Sequence, residues 1–225
     1  MLEFTLYSGR ENNLLRLKSY SKLYNLLISF RSTWRYHHCI RVSNYVAIMA
    51  ANMGMSKNDI RAVELAGLMH DVGLSAINDQ ILDKRTKLSQ EEYAYIKFHP
   101  VIGMWLLDYY GLSEGIVKAV LQHHESFDGS GYPVGLKGEH INLYARLLSL
   151  AEYFDTVTSD TPYKKASSLD EAIREIQALS GKKFDPRIVN VMMDSDEISN
   201  FCLHRENIQT NDSRDVFNLD KTLTL

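Results

Sequence analysis

The stretch Gln122-His123-His124-Glu125-Ser126-Phe127-Asp128-Gly129-Ser130-Gly131-Tyr132-Pro133 joins two adjacent histidines to a glycine-rich run that ends in proline. Glycine and proline are the poorest residues for a helix interior, so everything after Glu125 reads as loop. The histidines then stand on the last turn of a helix, at the lip of an ordered loop. Side chains grouped there suit ligand binding or catalysis better than core packing.

Outward from this stretch the pattern is helical nearly throughout. A Leu-rich segment at 12–30 reads as an N-terminal helix, and 33–53 as a longer one ending near Gly54. Ser56-Lys57-Asn58-Asp59 supplies an N-cap with an acid in the first turn, and predicts a helix running to about Gly73. Ser89-Gln90-Glu91-Glu92 and Ser168-Leu169-Asp170-Glu171 are capping boxes. Pro100 predicts a break just after His99. A helix from Ser113 carries His123 and His124, another spans 141–159, and Asp185-Pro186 opens a short final helix. With no strand alternation and no internal repeat, the fold class is all-α. The expected organisation is an N-terminal helical extension over 1–32, one main domain over 33–198 and a polar C-terminal tail over 199–225.

Composition narrows the function classes. In 225 residues, 45% are apolar and 24% charged, the balance of a globular protein with a core. A net charge of −3 argues against binding a DNA or RNA polymer, which calls for a basic surface. Two cysteines, Cys39 and Cys202, are too few for a disulfide framework or a thiolate zinc cluster and point to a reducing compartment. No apolar run approaches the ~18 residues of a membrane helix, and the first residues lack the apolar core of a signal peptide. A cytoplasmic protein without membrane attachment is the expectation.

Five of the eight histidines fall at telling places. His38 shares a helical face with Val42, Tyr45 and Met49; His70 shares one with Ile60, Val63 and Gly67, and Asp71 follows it. His99 precedes Pro100, and His123 and His124 end their helix. Glu152 sits within the apolar run Leu147-Leu148-Ser149-Leu150-Ala151-Glu152-Tyr153-Phe154-Asp155. Singly, each has an ordinary reading: a hydrogen-bonded core histidine, a helix-end cap, or an acid paired with Arg146. Together they form the nitrogen-and-oxygen ligand set of a first-row dinuclear centre.

The order His38-x-x-Arg41-Val42, His70-Asp71-Val72-Gly73, His99-Pro100, His123-His124-Glu125 and Gly131-Tyr132-Pro133 resembles the HD-GYP family of HD-domain metal-dependent phosphohydrolases, over about residues 33–195. The resemblance implies a helical bundle around two divalent metal ions, iron or manganese, with Asp71 bridging them as the catalytic residue. One metal would also take His38, His70 and Glu152, and the other His99, His123 and His124. A metal-bridging hydroxide would then attack a phosphodiester, with no Ser or Cys nucleophile needed. Tyr132 and Lys164 are the expected substrate-binding residues. The loop glycines are expected to let backbone approach the substrate, with a tight turn held by Asp128 to Gly131 as the plainer reading for Ser130.

Departures from the family pattern bear on substrate. His70-Asp71-Val72-Gly73-Leu74 has Leu74 where the family typically has lysine, and Leu74 is expected to face the mouth of the site. Asp160-Thr161-Pro162-Tyr163-Lys164 has Thr161 in place of an arginine but keeps a cation at Lys164. Glu152 stands where most members have aspartate, and Trp34 replaces a glutamate that helps some members hold a third metal. The leading expectation is a phosphodiesterase opening cyclic di-GMP to linear pGpG. The alternatives are another cyclic dinucleotide such as cyclic GMP-AMP, or a catalytically weak or inactive nucleotide-sensing or protein-interaction module. A homodimer or a separate signalling protein is left open as partner.

Overall fold

In the computed structural model, the first described helix is α1 (Thr33–Asn52). The structure describes residues 25, 33–160 and 165–204. Apart from residue 25, the expected helix at 12–30 lies outside the described residues, as do Thr161, Lys164 and the last 21 residues of the expected tail (205–225). After α1 come α2 (Lys57–Met69), a 3-10 helix (Val72–Ala76), α3 (Asp79–Leu82), α4 (Gln90–Ile96), α5 (His99–Tyr109) and α6 (Glu114–Gln122). A second 3-10 helix (Gly138–His140) then leads to α7 (Leu143–Thr158), α8 (Leu169–Leu179), α9 (Pro186–Met193) and α10 (Asp196–His204). No strand occurs among the described residues, and an isolated bridge joins Ser180 to Phe184.

The core forms where the apolar faces of α1, α2, α6 and α7 meet. From α1, Val42, Tyr45, Val46 and Met49 are buried; α7 supplies Leu147, Leu148, Leu150 and Phe154. The Tyr45 ring meets Phe154 and Phe201 edge-on, each at 5.0 Å between centroids. Two polar ties set α7 in place. Gln122, at the end of α6, accepts the Asn142 N–H at 2.7 Å, and the Tyr144 hydroxyl donates to Asp59 at 2.6 Å. No described helix is long and apolar enough to cross a membrane.

Local chemistry placed most boundaries. Ser56 accepts from the Asp59 N–H, Ser89 and Ser168 close capping boxes, and Asp185 caps the helix that opens with Pro186. Four expectations are corrected. Helix α2 stops at Met69, not near Gly73, because the chain tightens into the 3-10 helix that carries Val72 and Gly73. Gly73 is there for close approach: a Cβ on it would lie 2.0 Å from the His99 carbonyl oxygen and 2.7 Å from the Gly103 nitrogen. The break near Pro100 falls before His99, since a proline has no N–H to offer and fits the first turn of α5. Helix α9 is not the last: α10 crosses the expected tail boundary at 199, with Ile198 and Cys202 buried.

The fourth correction concerns Leu74. It is 8% exposed and packs in the hydrophobic core, so it does not present its side chain at the mouth of the site. The turn Val72–Ala76 directs it inward.

Gly73→Ala is expected to lower Tm by roughly 5–10 °C, since the added methyl meets backbone that cannot move aside and overpacking of this kind costs ~1–3 kcal/mol. A thermal melt checks it; an unchanged Tm would show that α5 can slide.

Candidate metal centre

Helix ends aim the histidines. The last carbonyls of an α-helix have no partner within it, and three histidines use those carbonyls. His70 Nδ1–H donates to Gly67 O at 2.7 Å near the end of α2, and His123 Nδ1–H to Val120 O at 2.6 Å near the end of α6. His99 Nδ1–H donates to Ile96 O, the last residue of α4, at 2.8 Å. A carbonyl only accepts, so each Nδ1 carries a proton, and in the neutral ring each Nε2 then holds a bare lone pair.

Those Nε2 atoms converge. His99 and His123 face each other at 3.2 Å between Nε2 atoms, and His70 Nε2 is buried without a hydrogen-bond partner. Asp71 lies between two groups, with Oδ2 3.5 Å from His70 Nε2 and Oδ1 3.3 Å from His99 Nε2. In each of the sets His38, His70, Asp71 and His99, His123, His124, the ligand atoms lie within 4.8 Å of one another. Glu152 reaches His124, with Oε2 3.7 Å from Nδ1. All seven residues expected as ligands therefore meet at one place. Arg146, the alternative partner for Glu152, pairs with Asp185.

The donor set fits divalent cations. Facing lone pairs at 3.2 Å repel unless a positive charge lies between them, and an unsatisfied buried nitrogen calls for a partner. Burial pushes His123 well below the ordinary imidazole range and lowers His124 too, which leaves both neutral, the form that binds metal. Burial would raise Asp71, but His70, His99, His38 and His124 outweigh it and hold the carboxyl at about 2. His38 moves the other way: burial lowers it, but the hydrogen bond to Asp155 and the charges of Asp155, Asp71 and Glu152 raise it. The field at His38 thus favours positive charge.

Asp155 and Glu125 have roles that the sequence reading missed. Asp155 is buried and accepts from His38 Nδ1 at 2.7 Å, from Arg41 Nε at 2.6 Å and from Arg41 Nη2 at 2.9 Å. It turns His38 Nε2 toward the other donors, as carboxylates commonly do behind a metal-binding histidine. The available signal was a second acid one turn after Glu152 in the same apolar helix. Glu125, also buried, accepts from the backbone N–H groups of Val134, Gly135 and Leu136 and pins the loop. Gly131 packs on the chain itself, not toward an open cleft: a Cβ there would sit 2.2 Å from the Ser126 nitrogen. Ser130 is tied to Asp128 in a tight turn, the plainer of its two readings. Tyr132 stacks on His124 at 4.8 Å between centroids with 23° between planes.

Asp155→Asn is expected to weaken metal affinity about 10–100-fold while the fold survives, measured by chelator competition and circular dichroism. Burial opposes ionisation of Asp155, but His38 and Arg41 hold it at about 2, below its unfolded value of ~3.9. Its stabilising contribution is therefore present above pH ~4 and is lost as pH falls toward 2. In chelator-treated protein, Asp155→Asn should flatten that acid limb of the Tm profile.

Comparison with known proteins gives the family. A family model described as "HD domain" matches residues 22–188. The chain is 40% identical over 157 residues to the cyclic di-GMP phosphodiesterase response regulator RpfG of Xanthomonas campestris pv. campestris, covering 68% of this chain and 41% of that protein. It is 31% identical over 184 residues to the 3'3'-cGAMP-specific phosphodiesterase 2 of Vibrio cholerae, covering 80% of this chain and 35% of that protein. The chain thus spans less than half the length of these curated relatives. In fold, it is similar to the L. monocytogenes phosphodiesterase PgpH HD domain in complex with cyclic-di-AMP, with a TM-score of 0.57 at 13% identity, covering 84% of this chain and 98% of that one. The chain belongs to the HD domain family, and its motifs mark it as an HD-GYP domain.

Proposed function

We propose that the chain is a metal-dependent phosphodiesterase that hydrolyses a cyclic dinucleotide, with cyclic di-GMP opened to linear pGpG as the first reading. The observation that carries it is the pair of three-residue donor groups with Asp71 between them. The names of the relatives support the substrate class. In the reaction a water oxygen bonds to phosphorus, the P–O3′ bond breaks, and the leaving 3′ oxygen takes a proton.

His38, His70, Asp71 and Glu152 would hold one ion, and His99, His123, His124 and Asp71 the other. Two divalent ions, iron or manganese, supply Lewis acidity and a water of lowered pKa. The remaining work belongs to side chains of this protein. Asp71, ionised above about pH 2, stays an anionic ligand and gives up no proton at neutral pH. Burial first, then the charges of Glu152, Tyr93 and Asp71, push the Tyr132 phenol well above its usual range. It keeps its hydrogen and can donate to a phosphoryl oxygen. Lys164 is proposed as a further substrate contact from its motif position alone.

A second reading, a substrate such as cyclic GMP-AMP, is supported by the 31% identity to the 3'3'-cGAMP-specific phosphodiesterase 2 of Vibrio cholerae. Turnover of a panel of cyclic dinucleotides by anaerobically purified, metal-loaded protein separates the two readings. No hydrolysis of any member would overturn the enzymatic reading in favour of a sensing module.

Asp71→Ala is expected to empty both sites, measured by metal analysis with circular dichroism as the fold control. Retention of both ions would refute the bridging role.

A further inference from the structure

Lys97 caps the C-terminus of α4, two residues before His99. Its ammonium lies 4.4 Å from the Tyr132 ring centroid and 5.9 Å from that of Tyr93. The Tyr132 ring is the one stacked on His124. The cation therefore stands one aromatic ring away from the metal donors, at the mouth of the same site. Two rings hold it there by cation–π attraction, and no described carboxylate pairs with it. A cation that is positioned yet not neutralised suits an incoming anion.

A cyclic dinucleotide carries two phosphodiester charges. The donor groups around Asp71 serve one of them, and Leu74, buried and apolar, serves neither. Tyr93, 56% exposed, offers an open ring beside the ammonium on which a base can stack. We propose that Lys97, flanked by Tyr93 and Tyr132, binds the phosphodiester that is not being cleaved and thereby sets affinity for the substrate. The proposal rests on the cyclic-dinucleotide reading of the site.

The test separates binding from turnover. Kd values are measured on metal-loaded full chain with phosphorothioate analogues of cyclic di-GMP, cyclic di-AMP and cyclic GMP-AMP that resist hydrolysis. Lys97→Met should weaken binding of the member held most tightly by about tenfold, with Lys97→Arg restoring most of the loss. Raising salt should weaken binding by the native chain more than by Lys97→Met. Hydrolysis of bis(p-nitrophenyl) phosphate, which has a single diester, should fall much less in Lys97→Met than hydrolysis of the cyclic dinucleotide. An unchanged Kd, equal losses on both kinds of substrate, or no binding by any of the three nucleotides would overturn the proposal. Binding that depends on Lys97 without turnover would instead sink the phosphodiesterase reading and leave Lys97 in place.

Discussion

Bare imidazole lone pairs, forced to face one another, are the constraint on which this structure depends. His70, His99 and His123 each spend the Nδ1 proton on a carbonyl at the end of a helix. The helix termini gain acceptor satisfaction, and in exchange the Nε2 atoms are driven into one small space. Such a cluster opposes folding unless positive charge is supplied. The helices that end at this place (α2, α4 and α6) must therefore stop where they do.

The surrounding residues hold that cluster against its own repulsion. His38 has no helix-end carbonyl and is turned by Asp155, which Arg41 keeps ionised within the core. Breaking such a buried set costs several kcal/mol, because whichever partner remains is an uncompensated charge. Glu125 does similar work for the loop. Its carboxylate gathers three successive backbone N–H groups, and Gly131 lets the loop fold flat on Ser126. Tyr132 is consequently held against His124.

In the proposed reading, substrate recognition is shared between this centre and the residues at its mouth. The core takes Leu74, which removes a position where a cation would be expected, while the α4–α5 connection places Lys97 between two tyrosine rings. Charge at the mouth is thus provided two residues before His99, at the junction of α4 and α5.

The amino-acid sequence determined what depends on nearest neighbours. Ser56, Ser89, Ser168 and Asp185 set helix starts because capping needs only residues two or three positions away. The seven candidate ligands were legible because imidazoles and carboxylates in apolar helical sequence demand a partner, and because their order resembles that of a known family. Positions far apart in sequence were decided only by tertiary structure. Asp155 reaches back over 114 residues to Arg41, and Gly73 is needed because α5 crosses it. Leu74 turned inward because a 3-10 helix replaced the end of α2, and Lys97 met Tyr132 only once the loop was pinned. Local hydrogen bonding fixes where a helix begins, but the direction in which a side chain points at a helix end is set by what packs against it.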